Sequence, residues 1–78
     1  MMHFWDSALA KVLPEFYQLE ASPQTMYRIK KALLLTMREE HGVQVSDEDA
    51  RHIRVEWMEQ EQSVNLVIPP KLLTQTLH

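Results

Sequence analysis

Glu48, His52 and Glu56 come nearest, by type and spacing, to residues that could do chemistry. Four-residue steps would put all three on one face of a helix. A carboxylate–imidazole–carboxylate row of that kind can hold a divalent cation. The row is not a complete ligand set of the structural-zinc type. A helix surface rich in Glu and His also produces such triplets as ordinary intrahelical charge pairs, here Glu48 with His52. No metal site is therefore expected. His41 falls near the end of a predicted helix, where a cation suits the dipole. His3 and His78 lie near the ends of the sequence and carry little information.

Covalent catalysis finds little support in the residue types. A nucleophile needs a base and an oxyanion hole, and the 78 residues include no cysteine and one glycine. A single glycine also leaves no Gly-rich loop to cradle a phosphate. Glu39-Glu40 and Asp47-Glu48-Asp49 are acidic runs of the kind that mark solvated helix ends. A chain this short has little room for a deep pocket of ordinary ligand size. The expected activity is non-catalytic, with no cofactor.

Two other groups of residues suggest binding. Arg28, Lys30, Lys31 and Arg38 form a modest basic patch, which raises nucleic-acid contact as the alternative function. The net charge of -3 disfavours it, because affinity for nucleic acid is dominated by phosphate charge. A helix-turn-helix reading would also present Asp47-Glu48-Asp49 to the phosphates at the start of its second helix. The other group is apolar: Phe4 and Trp5 near one end, Leu72, Leu73 and Leu77 near the other. Aromatic residues are favoured at protein interfaces. A mobile end after Pro69-Pro70 could cross to a neighbouring subunit. The function expected is that of a small cytosolic adaptor or regulator that binds another protein, as a homodimer.

Composition agrees with a folded chain. The hydrophobic fraction is 45%, ordinary for a globular domain. A single core at this size supplies only about 3–5 kcal/mol, which is why self-association is expected. No stretch approaches the roughly 18 apolar residues that span a bilayer. The opening MMHFWDSALAKVL lacks a basic leader and is interrupted by Asp6 and Lys11, so it does not read as a signal peptide. A cytoplasmic location is expected, since the absence of cysteine permits a reducing compartment.

The elements that must position these residues follow from periodicity. Trp5, Ala8, Leu9, Val12, Phe16 and Leu19 recur at three- and four-residue steps, which predicts a helix over residues 3–20. Pro14 should kink it or break it briefly, with both pieces on one core. The strongest signal lies between Ser22 and Gly42. Ser22 suits an N-cap, Pro23 the first turn, and Gly42 a left-handed C-terminal residue. Met26, Ile29, Leu33 and Met37 form its stripe, widened by Ala32, Leu34 and Leu35, so this helix should be central.

A second cap signal, Ser46-Asp47-Glu48-Asp49, starts a third segment. Ala50, Ile53 and Trp57 continue it at helical spacing. Ile53, Val55 and Trp57 also alternate with polar residues, as do Val64, Leu66 and Ile68, so a β-hairpin at 52–68 is the rival. Its turn, Glu59-Gln60-Glu61-Gln62, has no Gly, Asn or Asp and consists of good helix formers. The expected fold is therefore all-α. It is a single domain over 1–78, a bundle of three main helices with a partly extended C-terminal tail folded back or exchanged between subunits. An α+β fold containing the hairpin is the alternative.

Overall fold

The computed structural model describes residues 3–18 and 20–75. Helix α1 (Phe4–Val12) opens the chain. His3 is its N-cap: the ring Nδ1 accepts a hydrogen bond from the Trp5 amide at 3.2 Å. The helix stops at Val12, and Leu13–Phe16 form a 3-10 turn with Pro14 in its first positions. Pro14 thus causes a short break. Leu13 still donates its amide to the Leu9 carbonyl, so the turn runs on from the helix. Leu13 and Phe16 stay packed on the same core as Trp5, Ala8, Leu9 and Val12. Leu19, the last residue of the expected stripe, lies outside the described residues.

Helix α2 (Pro23–His41) has the ends expected of it. The Ser22 hydroxyl accepts from the Thr25 amide at 3.2 Å. Gly42 sits at φ 66° and donates to Arg38, and Val43 donates to the Met37 carbonyl at 3.1 Å. One face buries Thr25, Ile29, Leu33 and Met37. That face packs against α1, the 3-10 turn and the first strand. Lys11 of α1 and Glu40 of α2 form an ion pair across the outside of the contact.

The third segment corrects the all-α expectation. Helix α3 (Asp47–Arg51) is one short turn, capped by Ser46, whose hydroxyl accepts from Asp49 at 3.1 Å. The chain then enters strand β1 (Arg54–Met58), which pairs antiparallel with β2 (Ser63–Val67). The fold is α+β, with the hairpin that was the rival reading. Register pairs Val55 with Leu66 and Trp57 with Val64. Val55, Val64 and Leu66 pack on the core, so one face of the hairpin covers it. Burial decides between the readings: Ile53 is 1% exposed and enters the core directly from the end of α3. A helix continued through Trp57 would leave the alternating Val64 and Leu66 with no strand to pair with.

The turn solves its lack of glycine by strain. Gln62 adopts φ 51°, a left-handed conformation uncommon outside glycine. Its amide Nε2 donates to the Glu59 carbonyl at 2.8 Å, and its backbone N–H points at the same oxygen at 3.4 Å. The Trp57 indole N–H donates to Glu59 Oε2 at 2.7 Å. The loop is thus held by side chains.

Helix α4 (Pro70–Gln75) returns the chain to its beginning. Leu72 is fully buried. The His3 ring and the Leu73 carbonyl meet at 3.1 Å. Because Nδ1 of His3 accepts from Trp5, the neutral ring carries its proton on Nε2, which donates to Leu73. Lys71 reaches Asp49 of α3 at 3.0 Å. Within the single chain, the tail folds back so that Leu72 joins the core.

Candidate functional site

Glu48, His52 and Glu56, weighed from their spacing as a possible cation row, do not share one element. Helix α3 ends at Arg51, so Glu48 is helical, His52 caps the turn and Glu56 is in β1. The helical spacing behind the metal row does not exist. Among the described residues, no three His, Cys, Asp or Glu side chains converge as metal ligands.

Two of the expected partner contacts are core instead. Trp5 is 1% exposed and Leu72 is buried beside it in the central cluster. The helical phase of α1 turns Trp5 inward with Ala8, Leu9 and Val12. The Trp5 indole N–H is buried and has no hydrogen-bond partner among the described residues. Leu73 is half-buried against the core. Phe4 remains on the surface, 44% exposed, and stacks on the His41 ring at 5.1 Å. That contact ties the start of α1 to the end of α2. Leu77 lies outside the described residues.

The basic residues divide between two sides of α2. At about 100° per residue, Arg28, Lys31 and Arg38 share the side opposite the buried stripe, and all three are exposed. Lys30 does not share it. It is half-buried and faces β1, lining a depression with Tyr27, Arg54, Glu56 and Trp57. The Lys31 ammonium lies 5.4 Å from the Tyr27 ring centroid, within cation–π range.

The outer side of α2 also carries apolar surface. Leu34 is half-buried against the core, and Leu35, 47% exposed, carries the apolar stripe past it. After Gly42 the chain reverses and runs back beside the helix. Half-buried Val43 and Val45 then form a second wall. The two walls enclose an open groove of about 630 Å³. Ala32, Leu34, Leu35, Val43 and Val45 supply its apolar lining, and Lys31, Arg38 and Gln44 its polar margin. Sequence reading placed Leu34 and Leu35 in the interior and did not single out Val43 or Val45. Their Val-Gln-Val alternation directly after the only glycine was the available signal.

A second cavity, of about 710 Å³, opens between the 3-10 turn and the hairpin. Phe16, Tyr17 and Trp57 line it, with Thr25, Glu59 and Gln62 as polar groups. Leu19, which follows Tyr17 closely in the chain, is outside the described residues.

Electrostatics single out one group. The hydrogen bond from Lys71 holds the Asp49 carboxyl below its usual 3.8, and the Lys71 charge and Ser46 hydroxyl act in the same sense. Desolvation opposes them. This pair joins α3 to α4 and is far from the groove in role, since neither residue lines it. Among the described residues, no helix is long and apolar enough to cross a membrane. Comparison with protein-family models, with curated proteins and with solved structures finds no match to this chain.

Proposed function

We propose that the protein is a small non-catalytic adaptor or regulator, working in the cytoplasm, that binds another protein through the outer side of α2. The groove between Leu34–Leu35 and Val43–Val45 carries this reading. It supports the reading as a small apolar recess with one exposed leucine, Leu35, at its edge. Among the described residues, the lining is mainly apolar with Lys31, Arg38 and Gln44 at its margin, a composition suited to holding an apolar partner side chain. The homodimer expected from chain length remains a separate proposal, to be read by sedimentation velocity across concentration.

The test is affinity capture with the whole chain and two variants. Leu35→Asp adds a charge to the groove at an exposed position. Tyr17→Asp does the same at another exposed site, outside it. A protein captured by the wild type and by Tyr17→Asp, and lost with Leu35→Asp, supports the reading. Capture indifferent to Leu35→Asp overturns it.

A second reading, nucleic-acid contact, is favoured by the shared outward side of Arg28, Lys31 and Arg38. The apolar floor between two of these cations and the net charge of -3 weigh against it. A gel shift at low salt tests it, and unretarded nucleic acid removes it.

A further inference from the structure

Residues 22–38 contain no acidic side chain, yet they hold four of the eight lysines and arginines in a chain with eleven carboxylates. Three of them, Arg28, Lys31 and Arg38, are exposed on the outer side of α2, so that side is locally basic up to Arg38 on an acidic protein. Lys31 and Arg38 stand seven residues apart, about 10 Å along the helix axis, with Leu34 and Leu35 between them. Both line the apolar groove.

We infer that the groove takes an acidic amphipathic helix from a partner protein. Its apolar residues would fill the space between Leu34–Leu35 and Val43–Val45, and carboxylates two turns apart would meet Lys31 and Arg38. This rests on the interaction reading above and adds the charge and pattern of the partner. Lys31, Leu34, Leu35 and Arg38 share one side of α2 at i, i+3, i+4 and i+7, so a helix laid along it with apolar residues in the middle and carboxylates at both ends matches it in polarity and charge. Charge complementarity also argues against a second copy as occupant. A two-fold axis over Leu34 and Leu35 sets Lys31 of one protomer against Arg38 of the other, and like charges across a contact reject a partner.

The experiment uses the full chain, labelled with 15N, and two designed peptides of about two heptads. One repeats Glu-x-x-Leu-Leu-x-x-Glu, and the other has Lys in place of each Glu. Amide shifts on titration locate binding, and their concentration dependence gives Kd. The acidic peptide should shift residues 31–38 and 43–45, with Kd rising about tenfold or more in Arg38→Glu and rising with added salt. Arg38 is exposed, so this variant should fold, and its unperturbed spectrum elsewhere confirms it.

If both peptides shift the groove with equal affinity, the acidic-partner inference fails and the interaction reading survives. If neither shifts it, the acidic-helix inference fails, and the interaction reading is decided by the capture test with Leu35→Asp. Shifts at the groove from a nucleic-acid duplex, with none from the acidic peptide, overturn the inference in favour of the second reading.

Discussion

Among the described residues, two sit in the left-handed region, and they arrive there by different routes. Gly42 adopts φ 66° with nothing within 4 Å of where a Cβ would stand. Gly42→Ala should therefore cost about 1 kcal/mol from backbone strain alone, read as a lowered denaturation midpoint with an unchanged slope. Gln62 occupies φ 51° and offsets its strain with a hydrogen bond to Glu59. Gln62→Gly relieves strain and loses that bond, so stability should change by less than about 0.5 kcal/mol. Gln62→Val keeps the strain, adds a branched Cβ and loses the bond, and should cost about 1–2 kcal/mol. Asp49 gives a pH dependence. The folded state binds its proton more weakly than the unfolded chain, because Lys71 stabilises the carboxylate. This contribution is complete above the ordinary value of 3.8 and disappears as pH falls through the lower folded value. Lys71→Met should lower the urea midpoint at neutral pH, and the difference from wild type should vanish in strong acid. An equal difference at both pH values would mean that Lys71 contributes by packing.

At the scale of elements, α2 was fully legible because its signals were local and agreed. Ser22, Pro23, the stripe and Gly42 all specify the same helix. Leu33, fully buried on its inner side, should cost about 2–5 kcal/mol on Leu33→Ala. Lys31→Ala, on the outer side, should cost about 0.5 kcal/mol or less. Thermal or urea denaturation compares them, and equal losses would reverse the faces. The hairpin was legible only as a rival, because local and non-local signals disagreed. Glu59, Gln60, Glu61 and Gln62 have helical propensity, yet the alternation of Val55, Trp57, Val64 and Leu66 matches one face of a sheet. Packing of that face prevailed, as β preference is chiefly a matter of context. No propensity scale would place Gln62 at positive φ, since its conformation is held by a bond to Glu59. The groove was half legible. Lys31 and Arg38 read as outward from their phase, but Leu34 and Leu35 read as interior because sequence cannot show where the core's cover stops. Val43 and Val45 become its second wall only through the reversal at Gly42.

For the molecule as a whole, the core joins segments far apart in the chain: Trp5, Leu33, Ile53 and Leu72 are all buried in one cluster. Cooperative loss should follow damage at any of them. Leu72→Ala, in the short α4, should cost about 2–5 kcal/mol and lower the midpoint seen by far-UV circular dichroism and by Trp fluorescence together. Separated transitions would show that α4 melts alone. The contact between His3 and Leu73, 70 positions apart, has a topological corollary. Positions 3 and 73 lie side by side, so the described fold between them is close to a closed loop, and where that loop is cut is largely arbitrary. Linking the backbone near position 73 to that near position 3 and reopening it between Gln60 and Glu61, at an exposed loop tip, should yield a circular permutant with the same architecture, read by its circular dichroism spectrum and denaturation midpoint.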